Sequence, residues 1–92
     1  MCIIMSSFLI SYDLISNKDY SKLYEAIRNY GSFAHVLESV WIIKSTKSST
    51  NIRDDLMSYI DSDDKLFVAK LTGESAWVNL STEISNWIKE NA

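Results

Sequence analysis

The sequence predicts an α+β fold, a ferredoxin-like β-α-β-β-α-β sandwich followed by a short strand and a third helix. Apolar runs with strand character alternate with amphipathic segments at helical spacing, in the order that this sandwich requires. The 92 residues suffice for one hydrophobic core, and two glycines with no proline favour regular elements and short connections. We therefore interpret residues 1–92 as a single domain, in which residues 1–5 form a loose N-terminus and residues 72–92 form a C-terminal extension.

The first strand is predicted over residues 7–14, where side chains of alternating character indicate a period of two. Asp13 lies near the end of this strand, on the face opposite the predicted core residues. A helix is predicted over residues 19–30, because its apolar residues recur at helical spacing. Ser16 or Asn17 can cap its start, and the glycine that follows it can end it. The predicted core face of the strand comprises Phe8, Ile10, Tyr12 and Leu14.

A long extended segment is predicted over residues 34–46. Its apolar side chains occupy both odd and even positions, which face opposite sides of a strand, so both faces of the segment should be covered. This length is unusual for one strand, and a turn near Glu38 and Ser39 would divide it in two. One strand and two strands both remain open. A second helix is predicted to begin at a cap on Asn51. Its expected buried face comprises Ile52, Leu56, Tyr59 and Ile60.

The remaining chain predicts a strand over residues 65–71, a short strand over residues 76–80 and a helix from a cap at Ser81 to about residue 90. Two helices cover one face of a ferredoxin-like sheet. The apolar second face of the later strands then needs another cover, which the third helix or a second copy of the chain can supply. We favour a homodimer.

Composition and charge exclude several classes of protein. The net charge of −3 argues against strong, general nucleic-acid binding. A single cysteine, Cys2, cannot form an internal disulfide, and no apolar stretch approaches the roughly 20 residues of a membrane span. The start of the chain lacks the basic region of a signal peptide, so we expect a cytoplasmic protein with no membrane partner. The single histidine, His35, is expected to be a surface or half-buried residue and not a catalytic base. The acidic run over residues 61–64 lacks the glycine of an EF-hand loop and is interpreted as a solvated helix-to-strand turn.

Asp13 is the strongest candidate for chemistry because of its position. One carboxylate is a poor magnesium site, but two carboxylates related by a dimer axis can share a Mg²⁺ ion and activate a water for phosphodiester cleavage. The alternative is a strand-end aspartate that hydrogen-bonds its own turn. Basic residues are weak candidates for nucleic-acid contacts, with ordinary solvated charges as the alternative. They are Lys18, Lys22, Lys44, Lys47 and Arg53.

Several short motifs resemble those of the Cas2 family of CRISPR-associated proteins. They are Tyr12-Asp13-Leu14 at the strand end, Tyr30-Gly31 after the first helix, Ser39-Val40-Trp41, and Asp64 to Val68. The resemblance covers roughly residues 7–71. The chain departs from the family pattern at Leu37, which replaces a glutamine, and at Glu38, which replaces an aromatic residue. The arginine-rich start of the family's first helix is reduced to Lys18 and Lys22.

The resemblance implies a ferredoxin-like homodimer in which the Asp13 residues of two copies face each other, with Tyr12 and Ser39 as neighbours. Some family members are magnesium-dependent nucleases, others form the structural centre of a spacer-integration complex, and VapD-type ribonucleases share the fold. The resemblance therefore implies a protein of a CRISPR or mobile-element system that associates with nucleic acid, with Asp13 as catalytic residue and ligand of a Mg²⁺ ion. The reduced basic content favours an alternative, a non-catalytic module, such as a phage or mobile-element regulator, that binds an unknown protein partner.

Overall fold

A computed structural model of the chain describes residues 5–15 and 19–92. The strands of this part of the chain form one antiparallel sheet with the order β2-β3-β1-β4. Two strand-helix-strand crossovers with this order define the ferredoxin-like sandwich, so the predicted fold class is confirmed. The elements are β1 (Ser6–Asp13), α1 (Ser21–Arg28), β2 (Phe33–Leu37), β3 (Val40–Ser45), α2 (Ser49–Met57), β4 (Lys65–Lys70) and α3 (Thr82–Asn91).

The core lies between α1, α2 and one face of the sheet, which we call the helix-covered face. The predicted core face of β1 is confirmed, because Phe8, Ile10 and Tyr12 are buried there. Leu14 packs against the same cluster and is half-buried. The two helices supply four fully buried side chains at helical spacing, which explains why both form amphipathic helices. These side chains are Leu23, Ile27, Ile52 and Leu56.

The extended segment is two strands, β2 and β3, joined by a tight turn at Glu38 and Ser39. A bulge between His35 and Leu37 adds an extra residue to β2. The bulge changes which residues of β2 face each side. In β3 both odd and even positions are apolar because Trp41 and Ile43 are buried on the helix-covered face, whereas Ile42 is buried on the opposite side of the sheet. Of the two alternatives for residues 34–46, the two-strand alternative is confirmed.

The starts of α1 and α2 differ from the predictions. The predicted caps Ser16 and Asn17 lie outside the described residues, and the Asp19 carboxylate accepts a hydrogen bond from the Ser21 N–H at 2.9 Å. This bond lowers the pKa of Asp19. The second helix begins earlier than predicted, because the Ser48 hydroxyl, and not Asn51, caps it.

The second helix also ends earlier than predicted, at Met57. The predicted buried face is correct for Ile52 and Leu56, whereas Ile60 is partly buried and Tyr59 is 42% exposed. The chain leaves the helix through tighter turns, in which the N–H groups of residues 59 and 60 bond three residues back.

The predicted short strand over residues 76–80 is wrong, because this segment crosses a face of the sheet and pairs with no strand. Asn79 has a φ of 65°, in the left-handed region that an extended strand does not tolerate. The Trp77 indole N–H donates to the Ser85 hydroxyl at 3.0 Å, which ties the segment to α3. The Ser81 cap and the third helix are confirmed.

This C-terminal extension covers part of the other side of the sheet, which we call the second face. The Ser7 hydroxyl donates to the Asn91 carbonyl of α3 at 2.6 Å. Ile88 of α3 lines the same cavity as Leu9 and Ile42 of the sheet. The third helix thus supplies the cover that the sequence required, over the half of the second face nearest the start of β1. None of the helices in residues 5–15 and 19–92 is long and apolar enough to cross a membrane.

Candidate functional site

Asp13 is the last residue of β1 and lies on the second face, beyond the part that α3 covers. Its side chain is exposed. Among the described residues, its carboxylate accepts no hydrogen bond and forms no ion pair. The side chain therefore meets solvent without a partner from this part of the chain.

A shallow cleft of about 340 Å³ surrounds the Asp13 side chain. Asp13 pairs in register with Lys65 of β4, and the preceding pair on the same face is Ser11 with Phe67. In an antiparallel sheet such pairs project to the same side, so the cleft combines a carboxylate, an ammonium group and an aromatic ring. Its lining residues are Ser11, Tyr12, Asp13, Lys65, Leu66 and Phe67.

Tyr12 lies behind Asp13 on the helix-covered face and ties the end of β1 to the β2–β3 turn. Its hydroxyl accepts a hydrogen bond from the Trp41 indole N–H at 3.0 Å and donates to the Glu38 carbonyl at 3.3 Å. Burial raises the pKa of the Tyr12 hydroxyl above its usual value. The Tyr12 N–H donates to the Ser39 carbonyl at 3.2 Å, so the β2–β3 turn lies next to the end of β1.

His35 supports the same turn from the edge of the sheet. Its Nε2 atom lies 3.0 Å from the Glu38 carbonyl, and because a carbonyl can only accept, this nitrogen carries the proton. The imidazole stacks on Trp41 with a centroid distance of 3.9 Å and an interplanar angle of 8°. His35 is exposed, within the surface or half-buried position that the sequence predicts.

Asp64 fixes the loop that follows Asp13. Its carboxylate accepts hydrogen bonds from the Ile15 N–H at 2.9 Å, from the Tyr20 hydroxyl at 2.9 and 3.0 Å, and from the Asp61 N–H at 2.8 Å. One carboxylate thus joins the end of β1, the start of α1 and the turn before β4. The acidic run over residues 61–64 is a helix-to-strand turn, as the sequence predicts.

We expect the substitution Asp64→Ala to lower the free energy of unfolding by about 1–3 kcal/mol, because it leaves several backbone and hydroxyl donors without their charged acceptor. Asp63→Ala, which removes the exposed neighbouring carboxylate, should change the free energy by no more than about 0.5 kcal/mol. Urea unfolding followed by circular dichroism measures both values. Equal losses of unfolding free energy in the two variants would show that the Asp64 carboxylate does not hold these three segments together.

The described residues include no group of three or more histidine, cysteine, aspartate or glutamate side chains placed to hold a metal ion. Asp13 is an exposed oxygen donor, the ligand type that Mg²⁺ prefers. From one copy of this part of the chain it is a single carboxylate. A magnesium site here therefore requires ligands from elsewhere.

The motifs and the fold agree with a comparison against known families. The family model for CRISPR associated protein Cas2 matches residues 5–79. The chain belongs to the Cas2 family. The match covers well over half of the chain and runs from β1 to the segment before α3, so this is a CRISPR-associated protein. No curated protein matched the chain.

This Cas2 family member does not gather its predicted basic residues in one place. Lys22 lies in the first turn of α1, after the Asp13 end of β1, whereas Lys44 pairs with Ser7 near the other end of that strand. Lys18 lies outside the described residues. Lys47 and Arg53 make ion pairs with neighbouring acidic side chains.

These two ion pairs lie on the α2 side of the molecule. Lys47 bonds to Asp55, which also accepts a hydrogen bond from the Tyr30 hydroxyl at 3.0 Å. The hydrogen bonds from Lys47 and Tyr30 lower the pKa of Asp55. The Arg53 guanidinium contacts Asp54 at 2.8 Å. Both cations are thus partly neutralised within the chain.

Lys65 lines the cleft around Asp13, and the sequence alone does not reveal this. The sequence predicts only that Lys65 begins a strand, and its separation from Asp13 along the chain gives no sign that the two are neighbours. The proximity of the two residues follows from the antiparallel register of β4 with β1, which places Lys65 opposite Asp13.

Proposed function

We propose that this Cas2 family protein acts as a homodimer in which two Asp13 carboxylates lie close together, bind Mg²⁺ and promote cleavage of a nucleic-acid phosphodiester bond. The observation that carries the proposal is the position of Asp13 beside a largely apolar row of the second face that is exposed at both ends. The row takes one residue from each strand in register. We call Leu37, Val40, Ser11 and Phe67 the exposed row.

The exposed row has the character of an interface. Phe67 is 63% exposed and Leu37 is 56% exposed, at the two ends of the row. Val78 of the C-terminal extension, which lines a cavity with Leu37, is 78% exposed. Large apolar side chains exposed on a sheet face commonly mark a contact with another protein, and a two-fold sheet-to-sheet contact covers the row in both copies at once.

Such a contact supports a magnesium site because it combines two carboxylates. Asp13 from each copy would hold the ion, with water completing its oxygen ligands. A bound Mg²⁺ ion stabilises charge on the phosphate and lowers the pKa of a coordinated water. Within each chain, hydrogen bonds hold a residue on either side of Asp13. Tyr12 bonds to the carbonyls of Glu38 and Ser39, and the N–H of Ile15 donates to the Asp64 carboxylate.

A second candidate function is a non-catalytic protein-interaction module, such as a regulator, with the same dimeric fold. The observation that favours it is the neutralisation of Lys47 and Arg53 by Asp55 and Asp54, which weakens the predicted grip on nucleic acid. In this function Asp13 and the exposed row would serve a protein contact inside a CRISPR system.

An assay with Asp13→Ala separates the two functions. Purified protein is incubated with labelled single-stranded and double-stranded RNA and DNA, with Mg²⁺ and with a chelator in place of it. We expect magnesium-dependent cleavage by the wild-type chain and a loss of about 100-fold or more in Asp13→Ala, since both carboxylates of the site disappear.

Glu25→Ala is the control, because it removes an exposed carboxylate from the surface of α1, away from the sheet. It should cleave at the wild-type rate. Equal cleavage by Asp13→Ala and wild type would reject the role of Asp13. No cleavage by wild type, with a protein partner recovered by pull-down, would favour the interaction module.

A further inference from the structure

We infer that Lys65 is the residue of the Asp13 site that contacts a phosphate group, an inference that rests on the proposed function. Lys65 is the register partner of Asp13, and both side chains line the same cleft. Both are exposed. Among residues 5–15 and 19–92, neither side chain forms an ion pair or a hydrogen bond with another residue.

The register sets the spacing of the two charges. Paired residues of antiparallel strands have Cβ atoms about 4.5–5.5 Å apart. The lysine ammonium, on a flexible four-carbon stem, can therefore reach an oxygen atom held next to the carboxylate of Asp13. An ammonium group offers three donors and no acceptor, and the non-bridging oxygens of a phosphodiester are charged acceptors.

The electrostatics of the cleft favour this assignment. A carboxylate by itself repels a phosphodiester, so a site that places Asp13 against one needs a cation close by. Lys47 and Arg53 are engaged in ion pairs on the α2 side. Lys65 lies in the cleft itself and has no such partner in the described part of the chain, so its charge is available to a ligand.

The position of Lys65 also differs from that of the other lysine in its strand. Lys70 pairs with Phe8 and is therefore on the opposite face and at the other end of β4. The two side chains share residue type, strand and exposure, and differ in whether Asp13 is a neighbour. Lys70→Met is thus a matched control for Lys65→Met.

The test measures binding of a fluorescent single-stranded oligonucleotide, as RNA and as DNA, in chelator over a range of salt concentrations. Chelator removes any contribution from a divalent ion, so phosphate contacts are measured alone. We expect Lys65→Met to weaken binding by about 3- to 10-fold at 0.1 M salt and to reduce the slope of log affinity against log salt by roughly 0.7 for each lysine lost.

Three further variants make the outcome specific to charge. Lys65→Arg should retain the wild-type affinity, and Lys70→Met should change neither affinity nor slope. Asp13→Asn should bind about 2- to 5-fold more tightly than wild type in chelator, because it removes the repulsion between carboxylate and phosphate. Thermal unfolding of each variant verifies that the fold is kept.

The outcomes separate this inference from the proposed function. If wild type binds and Lys65→Met binds equally well, the assignment of Lys65 is overturned and the proposed function stands. If Lys65→Met and Lys65→Arg weaken binding equally, a role for the charge is likewise overturned. If wild type binds neither RNA nor DNA, in chelator or with Mg²⁺ in place of it, the proposed function fails, and the assignment of Lys65 fails with it.

Discussion

Replacing Ile10 with alanine should lower the free energy of unfolding by about 2–5 kcal/mol. Ile10 is 0% exposed and lies in β1, which is flanked by β3 and β4. Its side chain belongs to the cluster that joins the sheet to α1 and α2. The substitution removes three carbon atoms there, and neighbours held by strand pairing on both sides can close the cavity only in part.

Ile15→Ala is the matched control, because it makes the same chemical change five positions later on a side chain that is 61% exposed. It should alter the free energy of unfolding by no more than about 0.5 kcal/mol. Urea unfolding of both variants at one fixed protein concentration provides the comparison, since dissociation of the proposed dimer would also contribute to apparent stability. A loss as large in Ile15→Ala as in Ile10→Ala would contradict the position assigned to the core.

The contrast between these two isoleucines shows why the fold could be predicted. The period of two in β1 assigns Ile10 to a buried face without any knowledge of its partners. The helices follow from the same kind of local information, since Leu23 and Ile27, and Ile52 and Leu56, each recur at a spacing of four. Periodicity is a property of the segment itself, so it can be read from sequence.

The errors occur where local signals compete. Ser48 and Asn51 are both good caps, and only Ser48 has extended backbone angles and a hydroxyl that accepts a hydrogen bond from the N–H of residue 51. Residues 76–80 have strand-like composition, but Trp77 bonds to Ser85 and the segment lies over the second face. Tertiary contacts determine the structure in both cases, and they cannot be inferred from local propensity alone.

The residues of the candidate site also differ in whether the sequence alone reveals them. Asp13 could be found because a polar residue at the end of an apolar strand is visible in the sequence. Lys65 could not, because it becomes a neighbour only through the β1–β4 register. The partial neutralisation of Lys47 by Asp55 also depends on tertiary placement, since the loop and α2 bring together residues eight positions apart.

Replacing Phe67 with lysine should convert the proposed dimer into a monomer. Phe67 is 63% exposed and lies at one end of the exposed row, next to the Asp13–Lys65 pair. In a two-fold contact each substitution occurs twice. The loss of two buried phenylalanine side chains amounts to about 3–5 kcal/mol, which raises the dissociation constant by roughly 10²- to 10⁴-fold.

The consequence for the site follows from the number of carboxylates. One copy of the described chain supplies a single aspartate to the cleft, so a monomer has half of the proposed magnesium ligands. Phe67→Lys should therefore lose magnesium-dependent cleavage together with dimerisation, although Asp13 itself is unchanged. The free energy of unfolding of the monomer should change little, because the side chain is already exposed.

Met57→Lys is the control, since Met57 is 54% exposed on α2 and lies away from the second face. It introduces the same charge at a surface that the proposed dimer leaves free, so it should stay dimeric and active. Sedimentation velocity over a range of protein concentrations measures the oligomeric state, and the cleavage assay is run on the same samples. A Phe67→Lys chain that remains dimeric would exclude the exposed row as the interface. A monomeric variant that cleaves as fast as wild type would exclude a site shared between two copies, because each chain would then be sufficient by itself.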